Sequence, residues 1–149
     1  MTPTGIDAKI VVDRLDLLAG YLRSLRALPQ ATFEEFVSDV RNSAAAESLL
    51  RRAIEALLDT TRHILAKGLG IGALEYGRMA ELAVENRLVE DAALGSALVQ
   101  IARYRNRMTH FYDEIKEEEL YGIVTERLGD LEGLADELRR AARRLAKGG

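Results

Sequence analysis

The sequence has no cysteine, no tryptophan, two prolines, two histidines and few aromatic residues. Without cysteine there is no disulfide framework and no thiolate zinc site, a composition that suits the cytoplasm. With two prolines in 149 residues, little in the chain breaks a helix, and the abundant Ala, Leu, Glu and Arg favour one. No apolar run approaches the roughly 18 residues of a membrane span, so no membrane is expected among the partners. The first residues carry Asp7 and Asp13 and lack the apolar segment of a signal peptide, so none is expected. Nor is there an excess of positive charge. The formal net charge of −3 argues against a protein that coats nucleic acid indiscriminately and leaves room for a local basic patch. The length suits a single domain over residues 1–149, large enough to bury a core without staples.

What the chain does contain is apolar residues at helical spacing. Ile6, Ile10, Val11, Leu15, Leu18, Leu22 and Leu25 form a first stripe, which Pro29 ends. Thr32-Phe33-Glu34-Glu35 reads as a capping box before a short helix with Phe33, Phe36, Val37 and Val40 inward. Asn42 or Ser43 could cap a restart into the longest pattern, from Leu49 to Leu65, and spacing alone does not decide whether the two segments are one helix or a bent pair. Gly68 is expected to cap this helix in the left-handed conformation, with Gly70 and Gly72 in a turn. A shorter helix runs from Tyr76 to Val89, with Tyr76, Met79, Ala80, Leu82, Ala83 and Leu88 as its stripe, and Asn86-Arg87 marks its end. Asp91 is the candidate cap of the next. Glu117, Glu118 and Glu119 open a last helix that runs to the basic end Arg139, Arg140, Arg143, Arg144 and Lys147. The expected fold is all-α, an up-and-down bundle of four main helices plus a short extra one. There is no internal repeat, low-complexity tract or interdomain linker.

One stretch departs from this scaffold pattern. Arg103 to Tyr112 reads Arg-Tyr-Arg-Asn-Arg-Met-Thr-His-Phe-Tyr, where a helix pattern should be ending. Asn106, His110 and Asp113 share one helical face, and Arg105 and Tyr112 share another. Arg105 and His110 would point about 140° apart on a straight helix. Either the helix ends between them, or a second copy supplies the partner group across a two-fold axis. Together the pair suits phosphate chemistry. The Arg guanidinium matches phosphate oxygens and carries a permanent charge. His titrates near neutral pH and can take the proton of a 2′-hydroxyl or give one to the leaving oxygen. Arg would hold the charge of the pentacoordinate phosphate, so the two suffice for RNA cleavage without a metal or other cofactor. Arg103 and Arg107 have a plainer role as cations at a helix C-terminus, with contacts to an RNA backbone as the alternative.

Glu55, Asp59 and His63 lie at four-residue steps on one face of the long helix. A charge ladder on a helix surface accounts for them more simply than a metal site, which needs ligands converging on an open position. Gly70-x-Gly72 lacks the ending of a nucleotide loop and no strand precedes it.

Arg105-Asn106, three further residues, then His110-Phe111-Tyr112 resembles the Arg-x4-His-x-Tyr motif of HEPN-type ribonuclease toxins, and more narrowly of the HepT-like family, where Asn usually follows the Arg. The segments Leu49–Gly68, Met108–Ile115 and Glu118–Leu134 are similar to that family too. The resemblance implies a homodimer with two motifs facing each other, and a toxin that cleaves RNA, with tRNA as the candidate substrate. In that role Arg105 stabilises the transition-state phosphate, His110 is general acid or base, and Asn106 positions the phosphate or His110. Glu55 and Asp59, on the helix beside the motif, would orient Arg105. The implied antitoxin is a minimal nucleotidyltransferase that attaches AMP to the motif tyrosine, here Tyr112, and the pair could assemble beyond the dimer. Two other readings stay open: a non-catalytic HEPN-type module that binds nucleotide or a partner, and a purely structural helical dimer.

Overall fold

A computed structural model describes residues 5–110 and 115–148, with side chains to Ala146. Those residues form seven helices and no strand: α1 (Ala8–Ala27), α2 (Phe33–Val37), α3 (Val40–Leu69), α4 (Tyr76–Glu85), α5 (Ala92–Thr109), α6 (Glu117–Glu126) and α7 (Leu128–Gly148). The four long helices are α1, α3, α5 and α7. The all-α bundle expected from the apolar spacing is the architecture found, with three short helices where one was expected.

Helix α3 is the central post and packs against all six others. Its buried side chains Leu50, Ile54, Leu57, Leu58, Ile64 and Leu65 meet Leu15, Leu18, Leu22 and Leu25 of α1 and Leu131, Leu134 and Leu138 of α7. Thr60 and Thr61 are also fully buried, and each hydroxyl donates to the carbonyl four residues back, Ala56 at 2.8 Å and Leu57 at 2.9 Å. That self-contained bond lets a polar side chain sit inside an apolar seam.

Local signals set most helix starts. The Asp7 carboxylate accepts from the N–H groups of Lys9 and Ile10. Thr32 accepts from Glu35 and Asp91 from Leu94. Four details differ from the sequence expectation. Helix α3 begins at Val40, capped by Asp39 rather than Asn42 or Ser43, so the chain turns between α2 and α3. Val40 is consequently 78% exposed rather than inward. The left-handed cap is Gly70, with φ 70°, and its N–H donates to Ala66 while Ile71 donates to Leu65. Gly68 is still helical and faces Ile6 and Leu145, whose Cδ1 atoms would each lie 3.0 Å from an added Cβ. The final helix is interrupted at Arg127, whose φ of −116° and ψ of 0° separate α6 from α7. Leu120, Val124, Leu128 and Leu131 stay on the core side across that break, so their spacing does not reveal it.

Candidate functional site

Helix α5 carries the Arg-rich stretch and is held at both ends. At its start, the Glu137 carboxylate of α7, only 6% exposed, accepts from the backbone N–H groups of Asp91 at 3.0 Å and Glu90 at 3.4 Å. Its apolar face, with Leu98, Ala102 and Tyr104 buried, fixes its rotation against the bundle. At its far end the Thr109 hydroxyl donates to the Asn106 carbonyl at 3.0 Å, and the His110 N–H donates to Arg107 at 3.2 Å. His110 itself is extended, with φ −99° and ψ 110°. The helix therefore ends between Arg105 and His110, the first of the two routes by which the pair could meet. Arg105, Asn106 and His110 line one cleft of about 520 Å³, together with Arg62, Leu74, Glu75 and Tyr76. Tyr112 and Asp113 lie outside the described residues.

Behind the cleft, α3 supplies the carboxylates. Glu55 accepts a hydrogen bond from Arg105 at 2.8 Å and one from Arg51 at 3.2 Å. The Arg105 side chain is only 24% exposed and Glu55 25%, so water screens this pair weakly. Asp59 does not touch Arg105. Its Oδ1 accepts from the Tyr76 hydroxyl at 2.8 Å and from Arg62 at 3.1 Å. Tyr76 is the link: the Arg105 guanidinium carbon lies 4.7 Å from its ring centroid and that of Arg62 5.2 Å. Arg62 also donates to the Leu74 carbonyl at 3.2 Å, tying the loop after Gly70 to the same wall. Burial, and then the hydrogen bond to Asp59, pushes the Tyr76 phenol up to about 12, so it remains a donor at any physiological pH.

The ladder Glu55, Asp59 and His63 thus divides into three tasks. Glu55 holds Arg105, and Asp59 holds Tyr76 and Arg62. His63 turns to the other end of the molecule, where its Nε2 accepts the Asp7 N–H at 3.0 Å. Among the described residues, no group of three or more His, Asp or Glu side chains is placed to hold a metal ion. No described helix is long and apolar enough to cross a membrane.

Arg103 and Arg107 fall outside the cleft. Both line a separate groove of about 590 Å³ between α3, α5, α6 and α7, and Arg107 makes a two-pronged contact with Glu119 at 2.6 and 3.0 Å. In that groove the Tyr104 hydroxyl is buried without a partner among the described residues, and burial, with Glu119 close by, raises its pKa. The basic end of α7 is largely paired, Arg139 with Asp136, Arg140 with Glu137 and Arg144 with Glu90.

Tyr76, in the apolar stripe of α4, does pack against the core, half-buried. Its ring also meets two guanidinium groups, a role that its place in the stripe does not reveal. Arg62 is a cleft residue that the motif does not include. A signal for Arg62 did exist: it stands three residues after Asp59 and seven after Glu55, on the same face of α3. Nothing local marked Tyr76, because its partners come from α3 and α5.

Comparison with known proteins identifies the fold and the family. A curated relative, the tRNA nuclease HepT of Aphanizomenon flos-aquae (strain 2012/KM1/D3), is 26% identical over 123 residues, 82% of each chain. Among solved structures, the tri-AMPylated HEPN toxin of Shewanella oneidensis in complex with its MNT antitoxin superposes with a TM-score of 0.80 at 19% identity, covering 90% of this chain and 99% of that one. The cytosolic protein YutE of Bacillus subtilis, of unknown function, gives 0.75 at 18% identity, covering 91% of this chain and 90% of its own. At these identities the two structures bear on the fold alone. The family model for ribonuclease HepT-like proteins matches residues 18–138, which takes in every helix that builds the cleft, and the chain belongs to that family.

Proposed function

We propose that this chain is the toxin of a toxin–antitoxin pair and a metal-independent endoribonuclease, with tRNA as the candidate substrate and the cytoplasm as its place of action. The observation that carries this reading is the cleft lined by both Arg105, braced by Glu55, and His110, which follows the end of α5. An RNA strand there would present a phosphate to Arg105. His110 takes the 2′-hydroxyl proton as the 2′-oxygen attacks phosphorus, and the bond to the 5′-oxygen breaks as that oxygen receives a proton. The guanidinium holds the charge that builds on the equatorial oxygens. Asn106, exposed on the last turn of α5, lines the same cleft and would hold the phosphate or the imidazole. One histidine must serve both proton transfers in a single copy. In a homodimer with two motifs facing each other, one copy's His110 would deprotonate and the other's would protonate.

The same reading assigns Tyr112 as the site where a nucleotidyltransferase antitoxin attaches AMP. Support comes from the Shewanella structure, an AMPylated HEPN toxin bound to its MNT antitoxin, and from a second toxin–antitoxin structure with AMP-PNP, which superposes with a TM-score of 0.78 at 18% identity. An adenylyl group on a residue two positions after His110 in the sequence would add bulk and negative charge to the Arg/His motif and oppose RNA entry.

The decisive experiment is cleavage of total tRNA by the purified protein in EDTA, beside Arg105→Ala and His110→Ala, with circular dichroism to show that all three are folded. Cleavage by the wild type alone supports the mechanism. If none cuts, the wild-type mass is checked for AMP. An unmodified, folded and inactive protein overturns the reading in favour of a non-catalytic binding module.

A further inference from the structure

The motif supplies one arginine to the cleft, yet among the described residues two arginines line it. We propose that Arg62 is a second phosphate-binding residue, gripping the backbone next to the scissile phosphate, and that Tyr76 is the shelf that spaces it from Arg105. This rests on reading the cleft as the RNA site.

Three observations carry it. First, Arg62 comes from α3 and Arg105 from α5, yet both guanidinium carbons lie over one ring, at 5.2 and 4.7 Å. Like charges gathered this closely repel each other, and each is offset by its own carboxylate, Asp59 for Arg62 and Glu55 for Arg105. The ring cannot swing away, because its hydroxyl donates to the same Asp59 oxygen that receives Arg62. Second, neither guanidinium is saturated. Arg62 gives one bond from Nη1 to Asp59 and one from Nη2 to the Leu74 carbonyl, and each of those nitrogens carries two hydrogens. The Nε–H of Arg62 and that of Arg105 are both buried with no acceptor among the described residues, so the donors open to an entering phosphate are the remaining Nη hydrogens. A phosphate presents several oxygens to a planar fork of this kind. Third, the Arg62 side chain is 42% exposed and lines the cleft with Arg105 and His110, so it meets whatever enters.

The competing account makes Arg62 a strut that holds Leu74. The two accounts differ in the salt dependence of binding, because each phosphate neutralised on a single strand contributes about −0.7 to the slope of log K against log salt. The probe is a fully 2′-O-methylated RNA oligonucleotide, which binds and cannot be cut. Its affinity is measured over a salt series for the wild type, Arg62→Gln, Arg62→Lys and Arg62→Glu, with Arg26→Gln as a control on a cation paired with Glu132 outside the cleft. Arg62→Gln is expected to weaken binding about five- to tenfold and to flatten the slope by about 0.7. Lys is expected to restore the slope, and Glu to exceed Gln. With cleavable RNA the loss from Arg62→Gln appears mainly in KM. Tyr76→Leu loosens both cations and lowers kcat as well, and Tyr76→Phe, which keeps the ring but loses its tie to Asp59, recovers part of that loss. A folded Arg62→Gln protein with wild-type slope and affinity overturns the proposal. If the wild type, shown by mass to carry no AMP, cuts nothing but binds the oligonucleotide with an Arg62-dependent slope, the nuclease reading falls and Arg62 stands as a phosphate-binding residue of the cleft. If the unmodified wild type neither binds it nor cuts, both fall.

Discussion

Replacing Glu55 with glutamine tests how much of the cleft depends on one carboxylate. The change keeps the shape and removes the charge. In the native chain Glu55 accepts from Arg105 at 2.8 Å and from Arg51 at 3.2 Å, on side chains 24% and 37% exposed. A hydrogen bond to a charged group contributes about 1.5–3 kcal/mol and a neutral one about 1 kcal/mol. Glutamine presents one oxygen where Glu55 presents two. Turned to Arg105, that oxygen keeps a neutral bond at a loss of about 1 kcal/mol. Its amide N–H then faces the more exposed Arg51, whose bond is lost for up to about 1 kcal/mol more. A stability loss of about 1–2 kcal/mol would lower Tm by about 3–8 °C for a chain of this size. The effect on cleavage should be larger than the effect on stability. Arg105 without its brace drifts over the Tyr76 ring, and a misplacement of about 1 Å can cost on the order of 100-fold in rate. We expect kcat to fall about 10- to 100-fold, measured on a defined RNA under saturating conditions. Arg51→Gln serves as the control, since it leaves the Glu55–Arg105 bond intact and should alter kcat little. A folded Glu55→Gln protein with wild-type kcat would refute the reasoning, because it would show that the ring alone holds Arg105.

The remaining predictions concern the frame around the cleft. Glu137→Ala strips the acceptor from the Asp91 and Glu90 N–H groups and should cost about 2–3 kcal/mol in chemical denaturation, with faster amide exchange at the start of α5. His63 has a pKa held below the ordinary 6.5, first by burial and then by the charge of Arg14, with Lys67 acting in the same sense and Asp7 opposing. The unfolded chain therefore binds the proton more readily than the fold does. Stability on this account is fully present above about pH 6.5 and falls as pH drops through that value toward the lowered pKa. His63→Gln should flatten that part of the stability–pH curve. Gly70→Ala places a Cβ at φ 70° and should cost about 1–2 kcal/mol, read as a lower Tm.

What the sequence made legible was local. Thr32 and Asp91 each cap a helix through a bond to a residue three positions on, so the residue type and its neighbours are enough to place them. The stripe from Val11 to Leu25 needs only its own spacing. Arg105 and His110 stood out because a polar cluster interrupts an apolar pattern. What stayed hidden depends on partners far along the chain. Gly68 and Gly70 are equally good caps by type, and Gly70 takes the cap because Gly68 is pressed against Ile6 and Leu145. Tyr76 reads as a core aromatic until Asp59, Arg62 and Arg105 are brought around it. The cap on α3 shifted to Asp39 because the chain turns after α2, and apolar spacing does not register such a turn.

The carboxylates behind the cleft bear on how a chain of net charge −3 would meet RNA at all. A bare pair of arginines would attract any phosphate backbone and would also repel each other, leaving two long side chains mobile. Glu55 and Asp59 exchange some of that attraction for position, each holding one edge of a guanidinium and leaving other N–H groups toward the cleft. Screened in this way, the cations pull weakly at distances beyond about 10 Å and strongly only at hydrogen-bond range. On the nuclease reading, recognition then depends on an RNA segment shaped to enter the cleft rather than on general attraction to polyanions. The prediction is that Glu55→Gln, while lowering kcat, should tighten the binding of unrelated single-stranded RNA, because it unmasks charge as it loosens geometry. If binding weakened along with kcat, Glu55 would be serving the fold of the cleft and not its selectivity.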